Sequence, residues 1–339
     1  MNKFNLFETQ CFFRHLQKNK GSDLNSHLTE KQKDFFESLI FYSGRIPEDV
    51  HQSVQKIIEQ THFVISQLIP LYQIGIRFDI AIAGGAIRDL LYSNHNSIKD
   101  IDLIVQIDEK SITDSLKNTP LLTLEAIIGK DLHEFTNWNN DSLMQKVHGI
   151  FRLCLNKQFN IERAITLEDI ESKGKPSEYD PILNKKLEGL ITISRDEHQY
   201  PMDIILTTST IDEYLDSFSF DICKAYVQFF EKNSSRFVTN CFNFLERIYV
   251  TSGFINDGMK QQITFDLSKQ KSVEMIERTV KNHLPRVVKK YPNNKLIIKP
   301  GNNPEFVNWK TKYEDFVNLN NALPINIGSS NKNAQILKV

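Results

Sequence analysis

Cysteine is scarce in this chain: Cys11, Cys154, Cys223 and Cys241 are the only four in 339 residues, with no CxxC pair and no Cys/His spacing suited to zinc. That excludes a disulfide framework and a zinc-finger module, and the four are read as buried thiols of a reducing compartment. Net charge is small too, at −1, which argues against bulk nonspecific attachment to nucleic acid and leaves room for a local basic face. No apolar run approaches the roughly eighteen residues of a membrane span. The first residues, Met1 to Asn5, lack the plan of a secretory leader, so the expected location is the cytoplasm. Internal repeats are absent. With 40% hydrophobic and 24% charged residues, the chain has a globular composition and length enough for two domains.

What is present is concentrated in one short region. An apolar run from Ile80 to Ala83 enters Gly84-Gly85, and Ala86-Ile87-Arg88-Asp89-Leu90-Leu91 leaves it with a helical look. A second apolar run then opens as Asp100-Ile101-Asp102-Leu103-Ile104-Val105. On a strand, residues i and i+2 share a face, so Asp100 and Asp102 project side by side about 7 Å apart. Adjacent carboxylates repel, and a divalent cation between them relieves the repulsion. A glycine turn opening a helix presents backbone N–H groups to a phosphate. A phosphate cradle beside a Mg²⁺ site is the equipment of phosphoryl or nucleotidyl transfer.

Gly84-Gly85-Ala86-Ile87-Arg88-Asp89-Leu90-Leu91 followed by Asp100-Ile101-Asp102-Leu103-Ile104-Val105 resembles the head-domain motif of the tRNA nucleotidyltransferase and poly(A) polymerase family, within the DNA polymerase β-like nucleotidyltransferase superfamily. The resemblance covers roughly residues 78–107. Tyr92 and Ser93 stand where that family usually has a glycine, and its two-arginine stretch has no counterpart near Asp216–Asp221. The resemblance implies an α+β nucleotidyltransferase fold, a mixed sheet flanked by helices. It also implies transfer of an NMP from an NTP to an acceptor hydroxyl, with release of pyrophosphate and two Mg²⁺ ions, Mn²⁺ being an alternative. ATP or CTP is the expected donor, and an RNA 3′ end resembling that of tRNA the leading acceptor. A protein side chain or small molecule is the alternative acceptor, and an inactive nucleotide- or RNA-binding module the non-enzymatic one.

The same resemblance calls for a third carboxylate beside the Asp100/Asp102 pair. Asp203, an acid inside the apolar strand Met202–Leu206, is the first choice because a buried charge needs a partner or a metal; Asp221 is its rival. Gly84, Gly85, Ala86 and Arg88 are the expected nucleotide-binding residues, whereas Asp89 is read as bracing the first helical turn. His283, Arg286, Lys289 and Lys290 form a basic group near a helix end, where cations complement the dipole. Of these, Arg286, Lys289 and Lys290 are the candidate contacts to an acceptor backbone.

Along the chain, the reading gives an N-terminal helical extension at 1–48, with a helix near Glu30–Tyr42. A catalytic domain follows at 49–215, with an insertion at about 110–188. A mainly helical region at 216–300 and a polar tail at 301–339 complete it. Helical spacing of Val50, Val54, Ile57, Ile58, Phe63, Val64, Leu68 and Ile69 follows the helix start at Pro47. A second amphipathic helix is expected at 141–156, then a polar loop at Glu171–Lys186. Strands are expected at Gly189–Ser194 and Tyr200–Leu206, with a hairpin turn between them. Phe218–Val227 reads as a strand or a helix start, and Ser272–Lys290 as one helix kinked at Pro285.

Overall fold

The computed structural model describes residues 3–6, 39, 48–92, 95–128, 141–166, 188–194, 199–233, 236–269 and 273–299. Its strands are β1 (Lys3–Asn5), β2 (Phe78–Ala83), β3 (Ile101–Ile107), β4 (Asn160–Thr166), β5 (Gly189–Ser194) and β6 (Met202–Thr207). They continue with β7 (Ala225–Glu231), β8 (Arg236–Phe237), β9 (Ile248–Thr251), β10 (Gln262–Asp266) and β11 (Lys295–Lys299). The helices are α1 (Glu48–Gln73), α2 (Gly85–Leu91), α3 (Glu109–Asn118), α4 (Leu121–Ile128) and α5 (Leu143–Leu155). After them come α6 (Ile211–Asp216), α7 (Cys241–Glu246), α8 (Ser252–Lys260), α9 (Val273–Asn282) and α10 (Leu284–Lys290).

One mixed sheet runs in the order β1-β9-β7-β2-β3-β6-β5-β4, with β8 attached to β7. The β3–β6 pair is parallel and its other pairs are antiparallel. β10 and β11 form a separate parallel pair. This is a mixed sheet flanked by helices, consistent with the expected α+β class.

Period-two alternation sorts β3 between two cores. Ile101, Leu103, Val105 and Ile107 join the larger core with Val54, Ile57 and Leu68 of α1 and Ile150, Phe151 and Cys154 of α5. Ile104 faces the opposite layer, where Ile211, Tyr214 and Leu215 of α6 cover Ala81, Ala83, Leu190, Ile205 and Tyr226. A third cluster, Phe220, Ile263, Phe265, Ile276, Leu284, Val287, Tyr291 and Leu296, holds the C-terminal elements together.

The helix reading of 50–69 agrees with α1, except that Ile69 turns outward at 51% exposure. The 141–156 reading agrees with α5, which Ser142 and Gln145 close as a reciprocal capping box. Both expected strands after residue 188 are present as β5 and β6.

The C-terminal region requires correction. Residues 216–300 alternate strands with helices, and β7 and β9 lie inside the main sheet, so the expected boundary at 215 cuts through one sheet. Ala225–Phe230 is apolar and aromatic apart from Gln228, which suits a strand buried on both faces rather than a helix. The helix read over Ser272–Lys290 is two, because Pro285 lacks an N–H and is accommodated only in the first turn of a new helix, α10. At the N-terminus, Lys3–Asn5 pairs with β9 as a strand. Of the helix expected at Glu30–Tyr42 only Leu39 is described, and of the hairpin turn expected at Arg195–Gln199 only Gln199, while the loop at Glu171–Lys186, Cys11 and the tail beyond 300 lie outside the described residues. Among the described residues no helix is long and apolar enough to cross a membrane.

Candidate active site

The buried strand β2 ends at Gly84, whose backbone (φ 74°, ψ −134°) is open in practice only to glycine. Its N–H donates to the Ala225 carbonyl at 3.2 Å, and its carbonyl accepts from the Arg88 N–H at 3.1 Å to start α2. Space imposes a second requirement: a Cβ here would stand 2.7 Å from Asp102 Oδ2. The turn and the DxD strand are therefore in van der Waals contact. Gly84→Ala is expected to cost about 1–3 kcal/mol from the backbone conformation alone, seen as a lower urea midpoint. An unchanged midpoint would show that the turn relaxes without disturbing Asp102.

Register brings the carboxylates together. Asp102, second in β3, is the cross-strand partner of Ala83 on one side and Asp203 on the other. Asp203 in turn pairs with Thr192 of β5, whose hydroxyl donates to its Oδ1 at 2.6 Å. Paired residues share a face, so Asp102 and Asp203 stand side by side on the layer beneath which Tyr214 is buried. Burial raises the Tyr214 phenol, and the charges of Asp102 and Asp203 raise it further. Asp100 lies just before β3 and is exposed.

Burial pushes Asp203 above the ordinary carboxylate range; Thr192 pulls it down, Asp100 pushes it up and Arg163 pulls it down. The net direction is upward, because burial outweighs the Thr192 hydroxyl and the Arg163 charge. Asp221, the rival, is elsewhere: it forms an ion pair with Lys224 at 2.7 Å and packs against Gly253. Among the described residues no group of three or more His, Cys, Asp or Glu is arranged so that it could hold a metal ion. The donor set is nevertheless all carboxylate oxygen, the ligand type of Mg²⁺, gathered at one end of the sheet.

Arg88 is only 4% exposed, so it is neither a solvated helix arginine nor a surface contact. Its Nε donates to Asp89 Oδ1 at 2.7 Å and to the Tyr291 hydroxyl at 3.1 Å, and its Nη1 to Cys223 Sγ at 3.0 Å. Its Nη2 takes no part in these bonds and lies 3.5 Å from where a Gly85 Cβ would stand. Asp89 does not brace the first helical turn; its carboxylate bonds to side chains, most of them from distant elements. It also accepts from the Tyr291 hydroxyl at 2.7 Å, Ser97 Oγ at 3.0 Å and the Lys290 ammonium. Burial works against its charge, but Arg88, Lys290 and Tyr291 outweigh that and hold it below the ordinary range.

Lys290 is thereby removed from the expected basic face, since a buried carboxylate demands a counter-charge. Arg286 and Lys289 remain exposed on α10. Thr192, Tyr214 and Tyr291 escape sequence reasoning. Only the alternation of β5, once paired with β6, brings Thr192 to Asp203.

These observations define an α+β protein in which a glycine turn meets aspartates from two parallel strands. No family model matches the chain, and no curated protein does. Among solved structures it is similar to a chain of one described as "Structure of tRNA-processing enzyme complex 3", at 11% identity and a TM-score of 0.29. That comparison covers 65% of this chain and 40% of the other, so this chain spans about two fifths of the length of the chain it matches.

Proposed function

We propose that this chain is a Mg²⁺-dependent nucleotidyltransferase of the polymerase β-like fold. It moves an NMP from an NTP, ATP or CTP being favoured, to an acceptor hydroxyl and releases pyrophosphate. The leading acceptor is an RNA 3′ end. The observation that carries the reading is the Asp102–Asp203 cross-strand pair, set against Gly84 at the end of the sheet where β2 turns into α2.

Asp100, Asp102 and Asp203 would hold the metal. Bound there, Mg²⁺ supplies acidification of the attacking hydroxyl and neutralisation of charge on the departing pyrophosphate. Asp203, beside Asp102 in register, would receive the hydroxyl proton. The first-turn N–H groups of Gly85 and Ala86 have no intrahelical partners by helix geometry and would hold the phosphates. Arg88 Nη2 lends positive charge at the same turn.

The test is incubation of the purified protein with each α-labelled NTP, Mg²⁺ and total RNA. Label in RNA with stoichiometric pyrophosphate is the expected result. Label in protein would move the acceptor to a side chain, and label in neither would leave a binding module.

A further inference from the structure

The strand order continues past the aspartates. Thr192 of β5 is the partner of Asp203, and Arg163 of β4 is the partner of Thr192. One line of side chains on one face thus reads Ala83, Asp102, Asp203, Thr192, Arg163. Arg163 reaches this line through an irregularity: the register shifts between Ile161 and Arg163, leaving Glu162 as the extra residue of a bulge. Bulges re-aim side chains, and here the shift puts Ile161 opposite Ile193 in the larger core while Arg163 joins the aspartate face. Arg163 is half-buried, and its Cα stands two strand spacings, about 10 Å, from that of Asp203. An extended arginine side chain is long enough to cover most of that distance.

In-line displacement requires the attacking oxygen and the leaving pyrophosphate on opposite sides of the phosphorus. The Gly84 turn and Arg88 belong to the β2 side of the aspartate pair. Asp203, Thr192 and Arg163 therefore lie on the side from which the acceptor enters. We infer that Arg163 is an acceptor-binding residue that takes a backbone phosphate next to the attacking hydroxyl, so the acceptor is a nucleic acid rather than a protein side chain. The inference rests on the proposed nucleotidyl transfer. It also moves acceptor contact from the α10 face, where Lys290 is bound to Asp89, to the β4 edge.

The experiment measures two affinities in parallel for wild type, Arg163→Ala and Arg163→Lys: that of a fluorescent single-stranded RNA with a free 3′ hydroxyl, across a salt series, and that of a nonhydrolysable ATP analogue. Arg163→Ala is expected to weaken RNA binding about tenfold and to reduce the salt slope by about 0.7, the loss of one single-strand phosphate contact. Arg163→Lys keeps the slope, because the charge remains. Analogue binding stays within about twofold in both variants, which also reports that they are folded. Equal RNA affinity and slope for wild type and Arg163→Ala would overturn the inference. So would a wild type that binds the analogue and no RNA, which would point to a protein or small-molecule acceptor. A wild type that binds RNA through Arg163 and no analogue would overturn the nucleotidyl-transfer reading instead.

Discussion

Asp102→Asn is expected to leave a folded protein without measurable nucleotidyl transfer. The amide has the size of the carboxylate, so the contact with Gly84 is kept, yet it lacks the charge that a hard cation requires from its ligand. Loss of transition-state stabilisation of about 4 kcal/mol or more, about a thousandfold in rate, is the expected scale. The amide is expected to keep the fold, which the urea midpoint checks. Turnover at the wild-type rate in a folded Asp102→Asn protein would remove Asp102 from the site.

Asp89→Ala carries the largest expected effect on stability. Asp89 is 1% exposed and accepts from Arg88, Tyr291, Lys290 and Ser97. Without it, the buried Arg88 guanidinium loses its carboxylate, and breaking a buried pair from one side costs about 3–5 kcal/mol. Urea unfolding at neutral pH measures this directly. The pH dependence follows from the direction of the shift. Because the folded carboxyl lies below its ordinary value of about 3.9, its contribution is full above that value and is lost as the pH falls through the lowered one. The gap in stability between wild type and Asp89→Ala should therefore narrow in acid. A variant within about 1 kcal/mol of wild type at neutral pH would show that Arg88 finds another acceptor.

What was legible in the sequence was local. The glycine turn, its helix and the DxD strand occupy one stretch, and each follows from residue types at short spacing. Asp203 stands out as an acid in an apolar run, but its place beside Asp102 depends on parallel pairing between strands a hundred residues apart, which no periodicity encodes. Lys290 illustrates the limit. Read locally, it is a cation at a helix end; in the fold it meets Asp89, 201 positions earlier in the chain. Arg163 was invisible for a related reason, because Asn160–Thr166 is polar and a bulge interrupts its alternation. The C-terminal strands were missed because Ile248–Thr251 and Lys295–Lys299 are short and pack by tertiary context.

The sheet order also bears on when the site comes into being during synthesis. β2 is flanked by β3, its near neighbour in sequence, and by β7, which begins only at Ala225. Until β7 has emerged, one edge of β2 presents the apolar run Ile80–Ala83 unpaired, and the Gly84 N–H lacks its Ala225 acceptor. The aspartates can pair once β6 is made, but the turn they lean on is fixed later, by a strand drawn from beyond all of them. Long-range pairing of this kind slows folding and keeps a sticky edge open meanwhile. The strands that carry the acids are thus all made before the strand that fixes the glycine turn, β7, which starts at Ala225.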